Sequence, residues 1–246
     1  MSAVRLFTAA LLLAVCAQVR ADSLVLLTEN LPPFSMAASG GNFAKDEAVQ
    51  GLSSDVVRAM CRRAALDCQL ILRFPWERLY QQALNEPGYG LFSTIRTVER
   101  EGLFKWVGPI ATSDWVLLAR ADSTLQVENL RQAAAYRIGG YRNDAISQYL
   151  IDHGVAVQTS LQDKENLSRL DKGQIDLWAT DDITGRYQAR QAALGGLRVV
   201  HRFNSAGLYL ALNLATPDSV VQKLQSSLEQ MRSEGELQTI LSAYQR

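Results

Sequence analysis

Short apolar runs of strand length alternate along this chain with segments whose apolar residues recur at helical spacing. This alternation constrains the fold more than any other feature, because a helix between two strands lets both strands run in the same direction. It predicts an α/β fold with largely parallel sheets. The predicted strands cover residues 24–27, 69–74, 115–119, 137–139, 175–180 and 197–200.

Several helices can be placed between and after these runs. Ser53-Ser54-Asp55 is typical of a helix start, and the apolar residues that follow fall on one stripe. Residues 217–244 predict two helices with a break at 233–235, whereas the glycines and small polar residues of 36–50 predict a long, mobile surface loop. The remaining predicted helices begin after Pro75, at Asn143-Asp144 and at Asp163.

The N-terminus has the pattern of a secretory signal. Arg5 precedes an apolar run over residues 6–17, and Val19-Arg20-Ala21 forms a cleavage site, which predicts removal of residues 1–21 before Asp22. An apolar run this short lies below the roughly 18 to 20 residues that a membrane-spanning helix needs, so we expect a soluble mature protein. Cys16 and the residues before it only weakly resemble a lipoprotein signal. We therefore expect cleavage at Val19-Arg20-Ala21 and not lipidation of Cys16.

Charge and length exclude some classes of function. Loss of Arg5 and Arg20 leaves 23 basic side chains against 25 acidic ones, a formal charge of −2. This balance gives no reason to expect nucleic-acid binding. The 225 residues of the mature chain are enough for one large domain or two small ones.

Only Cys61 and Cys68 remain after cleavage, and they lie close in sequence. Disulfides persist outside the cytoplasm, so we expect these two cysteines to bond to each other. Closure of so short a loop stabilises a fold by roughly 2.5 kcal/mol in the chain-entropy description. Two buried free thiols are the alternative; a zinc site would need further ligands that the sequence does not cluster here.

Several short motifs follow one another along the chain. They are Glu29-Asn30-Leu31-Pro32-Pro33-Phe34-Ser35, Gly51 with Asp55, residues 96–101 with Phe104 and Gly108-Pro109, residues 173–176 with Thr180-Asp181, and residues 237–244. In this order they resemble the extracellular solute-binding proteins of family 3, over nearly the whole mature chain. The resemblance implies a periplasmic binding protein type II fold, in which two hinge strands join two α/β lobes and the ligand lies between them.

Lobe boundaries and partners follow from the same resemblance. It implies that residues 22–111 and 207–246 form the first lobe and that residues 112–206 form the second. It also implies a periplasmic protein that captures an amino acid or a similar small polar solute for the membrane permease of an ABC transporter. A sensing module that presents its ligand-bound form to a receptor is an alternative. We expect a monomer without cofactor, metal or nucleic acid.

Two charged residues are the main candidates for ligand contact. The resemblance implies that Arg100 grips the α-carboxylate of the ligand, which suits the forked geometry of a guanidinium. It also implies that Asp181 receives the ligand's ammonium. Pairing of Arg100 with a neighbouring glutamate, and capping of a helix by Asp181 or Asp182, are the structural alternatives. Arg96 is a second candidate cation.

Aromatic and polar residues complete the predicted site. Trp76 and Phe34 match positions that pack near the ligand; the alternative for both is a place in the core, which is the commoner position of aromatic residues at helical spacing such as Trp76. Residues 139–143 match a glycine-rich turn whose N–H groups face the carboxylate, but Tyr141 and Arg142 are bulkier than the usual residues there, which suggests a larger, more acidic or different ligand. The predicted ligand-binding set is Arg100, Asp181, Trp76, Phe34, Arg96, Thr94, Arg142 and Asn143.

The sequence does not favour catalysis. Some relatives on this fold are dehydratases of prephenate-like acids, and such chemistry needs a positioned general acid or base. His153 and His201 are the only histidines, and neither lies in a motif expected at the cleft. Only Glu77 and Asp181 are then left for that role, so we predict that the protein is not an enzyme.

Overall fold

The computed structural model describes residues 23–194 and 196–244. The predicted signal segment, including Cys16, lies outside these residues. The strands are β1 (Ser23–Thr28), β2 (Met36–Ala37), β3 (Ala44–Lys45), β4 (Val49–Gln50), β5 (Asp67–Leu72), β6 (Tyr89–Ile95), β7 (Lys105–Arg120), β8 (Ile138–Tyr141), β9 (Val157–Ser160), β10 (Leu177–Asp181) and β11 (Leu197–Leu212). The helices are α1 (Leu52–Arg63), α2 (Trp76–Asn85), α3 (Leu130–Ala133), α4 (Ala145–Asp152), α5 (Asp163–Asp171), α6 (Asp182–Gln191), α7 (Asp218–Ser233) and α8 (Glu236–Ala243).

Two long antiparallel strands, β7 and β11, run through the middle of a nine-stranded sheet with the order β3-β5-β1-β6-β11-β7-β10-β8-β9. The end of β11 pairs with β6, from Leu208 to Leu212, whereas β7 pairs with β10 near its own end, from Trp115 to Leu118. Both strands therefore belong to both halves of the molecule. The predicted two-lobed α/β fold is confirmed, with β7 and β11 as the two hinge strands.

Each lobe has parallel strands with helices packed around them. In the first lobe β1 is parallel to β5 and β6; α1 and α2 pack on these strands, and α7 and α8 pack against α1. In the second lobe β8 is parallel to β9 and β10, and these strands pack with α4, α5 and α6. In the hinge strands Gly207 is paired with Thr112. The predicted boundaries at 111/112 and 206/207 fall at this pair and stay a prediction.

The helical stripe predicted after Ser53 is the core face of α1. Val56, Val57 and Met60 are fully buried, and α1 packs against α7, whose Leu224 and Leu228 are also buried. The predicted break in the C-terminal segment is confirmed as well, because α7 and α8 are separated at Glu234 and Gly235.

The segment 36–50 differs from the predicted loop. It contains β2, β3 and β4, with β2 paired to β4 and β3 paired to the edge strand β5. Val49 is fully buried, and its carbonyl accepts a hydrogen bond from Arg58 of α1 at 2.8 Å. Ala37 and Ala44 are also buried, although a surface loop would expose them. The segment is therefore packed against the first lobe.

Cys61 lies near the end of α1 and Cys68 at the start of β5. Their Cα atoms are 6.1 Å apart and their sulfur atoms are at bonding distance. This Cα separation is in the range that a disulfide needs. In the part of the chain that the structure describes, no helix is both long enough and apolar enough to span a bilayer.

Candidate ligand-binding site

A small, partly enclosed cavity of about 40 Å³ lies between the two lobes. The residues that bring polar groups to it follow or end strands: Glu29 follows β1, Tyr141 ends β8 and Asp181 ends β10. In open α/β sheets the carboxyl ends of the strands are where ligands bind. The cavity has room for about three water molecules, so a larger solute requires the lobes to separate or a side chain to move. Its lining consists of Glu29, Leu31, Trp76, Ser93, Ile95, Arg100, Ser113, Tyr141, Asp144, Ile146, Asp163, Ala179, Thr180, Asp181 and Leu208.

Arg100 reaches this cavity from the first lobe. Its guanidinium carbon lies over the ring of Trp76 at 5.8 Å and over that of Tyr80 at 5.4 Å, contacts that hold a cation by attraction to the ring faces. It donates one hydrogen bond, to the carbonyl of Ile95 at 3.3 Å, and forms no ion pair with any described residue. Its fork therefore retains free donors for an anionic group of a ligand.

Arg96 does not line the cavity. Its Nε atom donates to Glu101 Oε2 at 2.6 Å, and its guanidinium stacks on Trp106 and Tyr209. Arg96 lies in a wider, open groove of about 900 Å³ that adjoins the cavity, since Trp76, Ile95 and Arg100 line both. The glutamate pairing that was the structural alternative for Arg100 is thus made by Arg96.

Asp181 both caps a helix and lines the cavity. As the N-cap of α6 it accepts a hydrogen bond from the backbone N–H of Thr184 at 2.9 Å, and its other oxygen accepts one from the N–H of Asp114 at 2.9 Å. It is 2% exposed, and burial raises its pKa to about 6. Asp182 instead pairs with Arg186 and Arg202, each at 2.6 Å, outside the cavity.

Of the two predicted aromatics, only Trp76 faces the cavity. Phe34 is buried in the core of the first lobe, and its carbonyl accepts the N–H of Ser53 at 2.8 Å, which satisfies the start of α1. Gly51, just before α1, has a φ of 116°, and a Cβ atom there would lie 2.6 Å from the Phe34 oxygen. The Pro-Phe motif and Gly51 therefore have a structural role, which is to hold the start of α1 against the turn that follows β1.

The other three predicted residues lie outside the cavity. Thr94 is fully buried and donates to the carbonyl of Leu91 at 3.1 Å. Arg142 is exposed. Asn143 donates to Glu77 Oε2 at 3.2 Å, a contact between the lobes that lies in the open groove. His153 also lies in this groove and stacks on Tyr149, whereas His201 is paired with Leu117 in the hinge strands.

Glu29 is a cavity residue that sequence reasoning missed. Its Oε2 atom accepts a hydrogen bond from the hydroxyl of Tyr141 at 2.6 Å, from one lobe to the other. Burial raises the pKa of Glu29 to about 8, against the lowering effect of that hydrogen bond. Glu29 opens the Pro-Phe motif, so the sequence signal was present, but the motif suggested Phe34 as the contact.

Asp144 and Asp163 were also missed, because they were interpreted only as helix starts. Asp144 caps α4 and accepts the N–H of Ile146 at 3.0 Å. Asp163 accepts from Trp178 Nε1 at 2.9 Å and from Thr180 Oγ1 at 2.8 Å, and burial raises its pKa to about 7. An aspartate at a helix start just after a strand was the available signal, since such positions lie at the ligand edge of the sheet.

A polar cavity enclosed between two α/β lobes on two hinge strands defines a two-lobed solute-binding protein. Comparison with protein families agrees: the profile of the bacterial extracellular solute-binding proteins, family 3, matches residues 24–246. The chain belongs to this family. A comparison with curated proteins gives no significant match.

Solved structures with the same fold come from several kinds of protein. A histidine kinase sensor domain with similarity to periplasmic binding proteins has a TM-score of 0.80 at 16% identity, covering 90% of this chain and 95% of the other. The arginine-, lysine-, histidine-binding protein ArtJ of Geobacillus stearothermophilus has a TM-score of 0.77 at 17% identity, covering 90% and 94%. An ancestral amino-acid-binding protein, a precursor of cyclohexadienyl dehydratase, has a TM-score of 0.75 at 16% identity, covering 91% and 95%. At these identities the likeness shows the fold.

Proposed function

We propose that this protein is the periplasmic binding component of an ABC importer and that it captures an amino-acid-like solute in the inter-lobe cavity and releases it unchanged. The observation that carries the proposal is the position of Arg100 and Asp181. One side chain is a cation with free donors, the other is a buried carboxylate, and they face one enclosed cavity from opposite lobes. A zwitterion presents the complementary charges.

The proposal assigns Arg100 to the carboxylate of the solute. We expect Arg100→Ala to weaken the best ligand of a thermal-shift screen by about 30-fold to several-thousand-fold, the usual effect of removing one partner of a buried charge pair. Arg96→Ala is the matched control, because it removes an arginine that is already paired with Glu101 outside the cavity. Calorimetry that finds the same affinity for both variants would exclude this assignment.

The proposal assigns Asp181 to the ammonium. Asp181→Asn is the suitable variant, because asparagine also caps helices and so retains the start of α6. We expect it to lose affinity by at least about tenfold, with a melting temperature near that of the wild type. Asp182→Asn, beside it but outside the cavity, is expected to bind normally.

Secretion and the disulfide are parts of the same proposal. The mature protein would begin at Asp22 and carry a Cys61–Cys68 bond, with the lobes divided at 111/112 and 206/207. Intact mass spectrometry of periplasmic material tests the first two points together, since cleavage and the loss of two hydrogens give one expected mass. Free thiols at both positions would contradict the disulfide.

Transport and sensing share this fold, because one similar structure is a kinase sensor domain. Import is preferred here because the matched family is that of the extracellular solute-binding proteins, and growth on the identified solute tests it. Deletion of the gene should slow uptake of the labelled solute. Unchanged uptake with a lost transcriptional response would favour the receptor partner.

Catalysis is a second candidate, and Glu29 is the observation that favours it. A carboxyl group with a pKa raised to about 8 inside the cavity is protonated near neutral pH and could act as a general acid. Incubation with prephenate, arogenate and the best screening ligand, followed by mass spectrometry, separates the two functions. Turnover that disappears in Glu29→Gln would replace the binding proposal; unchanged compounds would support it.

A further inference from the structure

We infer that the cavity selects a cationic α-amino acid, a solute with one carboxylate and two separate positive groups, and that Glu29 determines this selectivity. The inference rests on the proposed function, because it describes the charge of the solute that the same cavity holds.

The charge of the cavity lining is the first reason. Four carboxylates line it, namely those of Glu29, Asp144, Asp163 and Asp181, and Arg100 is the one basic side chain among the described residues that does so. A zwitterion with a neutral side chain would use Arg100 and one carboxylate. Three acidic groups would remain without a partner charge, and because their charged forms are costly there, they retain protons in the solute-free protein. A second positive group on the solute would stabilise their charged forms.

The carboxylates are divided between two places. Burial and then repulsion from Asp144 and Asp163 raise the pKa of Glu29, and Asp144 acts in the same way on Asp163. These three residues therefore form one electrostatic group, which we call the acidic cluster. Asp181 ends a different strand, β10, and accepts hydrogen bonds from Thr184 at the start of α6 and from Asp114 in hinge strand β7. Two places for a cation follow.

Glu29 is the member of the acidic cluster that is not held at a helix start. Asp163 accepts a hydrogen bond on each oxygen, and the carboxylate of Asp144 faces the N–H groups of the first turn of α4, accepting that of Ile146. Glu29 receives one hydrogen bond from the described residues, that of Tyr141 to Oε2, and its Oε1 atom has no partner among them. An unpartnered carboxylate oxygen at an enclosed cavity points to a ligand donor.

The second lobe is unsuited to a further anion. The starts of α4, α5 and α6 face the cavity, and each already carries an aspartate that neutralises the positive end of the helix dipole. A second carboxylate on the solute would meet these aspartates. The geometry thus argues against the more acidic ligand that Tyr141 and Arg142 suggested from sequence.

An organic cation fits the lining better than a metal ion. The four carboxylates come from four separate places in the chain, and among residues 23–194 and 196–244 no three His, Cys, Asp or Glu side chains are grouped to hold a metal. Ammonium groups several bonds apart can reach Asp181 and the acidic cluster separately. The hydroxyl of Tyr141 would then exchange its bond to Glu29 for one shared with the solute.

Calorimetry of the mature protein with a series of single amino acids tests the inference. The probes are L-lysine, L-ornithine and L-2,4-diaminobutyrate as cations, L-norleucine and L-glutamine as neutral analogues, and L-glutamate as an acid. We expect at least one cation to bind at least about tenfold more tightly than either neutral analogue, and L-glutamate to bind most weakly. Glu29→Gln should weaken the best cation by about 30-fold while changing a neutral analogue by less than about threefold.

Glu77→Gln is the matched control, since Glu77 lies in the open groove rather than in the cavity, and it should leave the preference for cations intact. A neutral or acidic amino acid that binds as tightly as the cations would overturn the inference and leave the proposed function standing. Equal losses for cationic and neutral probes in Glu29→Gln would overturn the role of Glu29. The inference and the proposed function would both be overturned if no probe binds and if a wider screen finds no ligand whose affinity depends on Arg100.

Discussion

The hydroxyl of Tyr141, in the second lobe, donates a hydrogen bond to the carboxylate of Glu29, in the first lobe, with the two oxygens 2.6 Å apart. Both residues line the cavity, so the side chain of Tyr141 occupies part of the space between the lobes. Asn143 with Glu77 forms a further polar contact across the cleft, at 3.2 Å. A solute that binds to Glu29 or Tyr141 in this cavity therefore competes with the bond between them.

Tyr141→Phe should shift the lobes towards the open arrangement. It removes a hydrogen bond of the kind that contributes about 0.5 to 3 kcal/mol, depending on the charge of the acceptor, from the closed form alone. Small-angle scattering of the solute-free variant is expected to give a larger radius of gyration than the wild type. Tyr244→Phe is the control, because Tyr244 donates a bond of the same length, 2.6 Å, to Asp55 within the first lobe. Superimposable scattering curves for Tyr141→Phe and wild type would contradict the prediction.

Stability should fall as the pH rises from about 5 to 8. Burial raises the pKa values of Glu29 to about 8, Asp163 to about 7 and Asp181 to about 6, so the folded protein retains protons that the unfolded chain has released. Since stability decreases with pH wherever the folded state binds more protons, the free energy of unfolding should drop by more than about 1 kcal/mol over this range.

Urea unfolding at pH 5, 6.5 and 8 measures this dependence. The charged and titratable groups around Glu29 are Tyr141, Asp144, Asp163 and Arg100. Glu29→Gln removes the group with the highest of the three pKa values, so its curve should be flatter between pH 6.5 and 8. A wild-type protein that becomes more stable towards pH 8 would show that these carboxyls are ionised throughout.

Loss of the bond between Cys61 and Cys68 should lower stability without changing affinity. The loop is short, so the chain-entropy description gives about 2.5 kcal/mol. The bond joins the end of α1 to the start of β5, away from the residues that line the cavity. Urea unfolding of Cys61→Ala/Cys68→Ala should show the loss, and calorimetry should give an unchanged dissociation constant. An unfolding midpoint equal to that of the wild type would count against the bond.

Phe34→Leu should act on the fold and leave the ligand site intact. Phe34 is 1% exposed in the core and is absent from the cavity lining. A smaller apolar residue there leaves unfilled volume, with an expected loss of about 1 to 3 kcal/mol in unfolding free energy. Trp76→Leu, at the cavity, should instead reduce affinity. If Phe34→Leu weakens binding as strongly as Trp76→Leu, then Phe34 acts on the ligand.

The sequence predicted the parallel strands β1, β5, β8 and β10, whereas it missed β6 and the edge strands β3 and β9. The stripe of α1 is visible because its apolar residues recur at helical spacing. β6 was missed, since Gly90, Ser93 and Thr94 break its apolar run although the strand is buried between β1 and β11. The hinge strands were predicted only in part, because Gly108-Pro109 and residues 204–207 resemble turns but are accommodated within the long strands β7 and β11.

In the site, the predictions of Arg100, Asp181 and Trp76 match the cavity lining, whereas their ligand roles stay predictions. Phe34, Thr94, Arg96, Arg142 and Asn143 do not line it, since a position in a motif does not fix where a side chain points. Asp144 and Asp163 are the reverse case, because they line the cavity but were not predicted to do so. Sequence located both as helix starts, but only the packing of β8, β9 and β10 brings those starts to one edge.

The pairing of β11 with β6 sets an order in which the chain can fold. Residues 208–212, which complete the sheet of the first lobe, are synthesised after the whole second lobe. The elements from β8 to β10 are contiguous in sequence and can assemble early. Until residues 208–212 are synthesised, β6 remains an unpaired edge strand with which other chains could pair. A product that stops before residue 208 would therefore expose this edge, which marks it for aggregation or proteolysis.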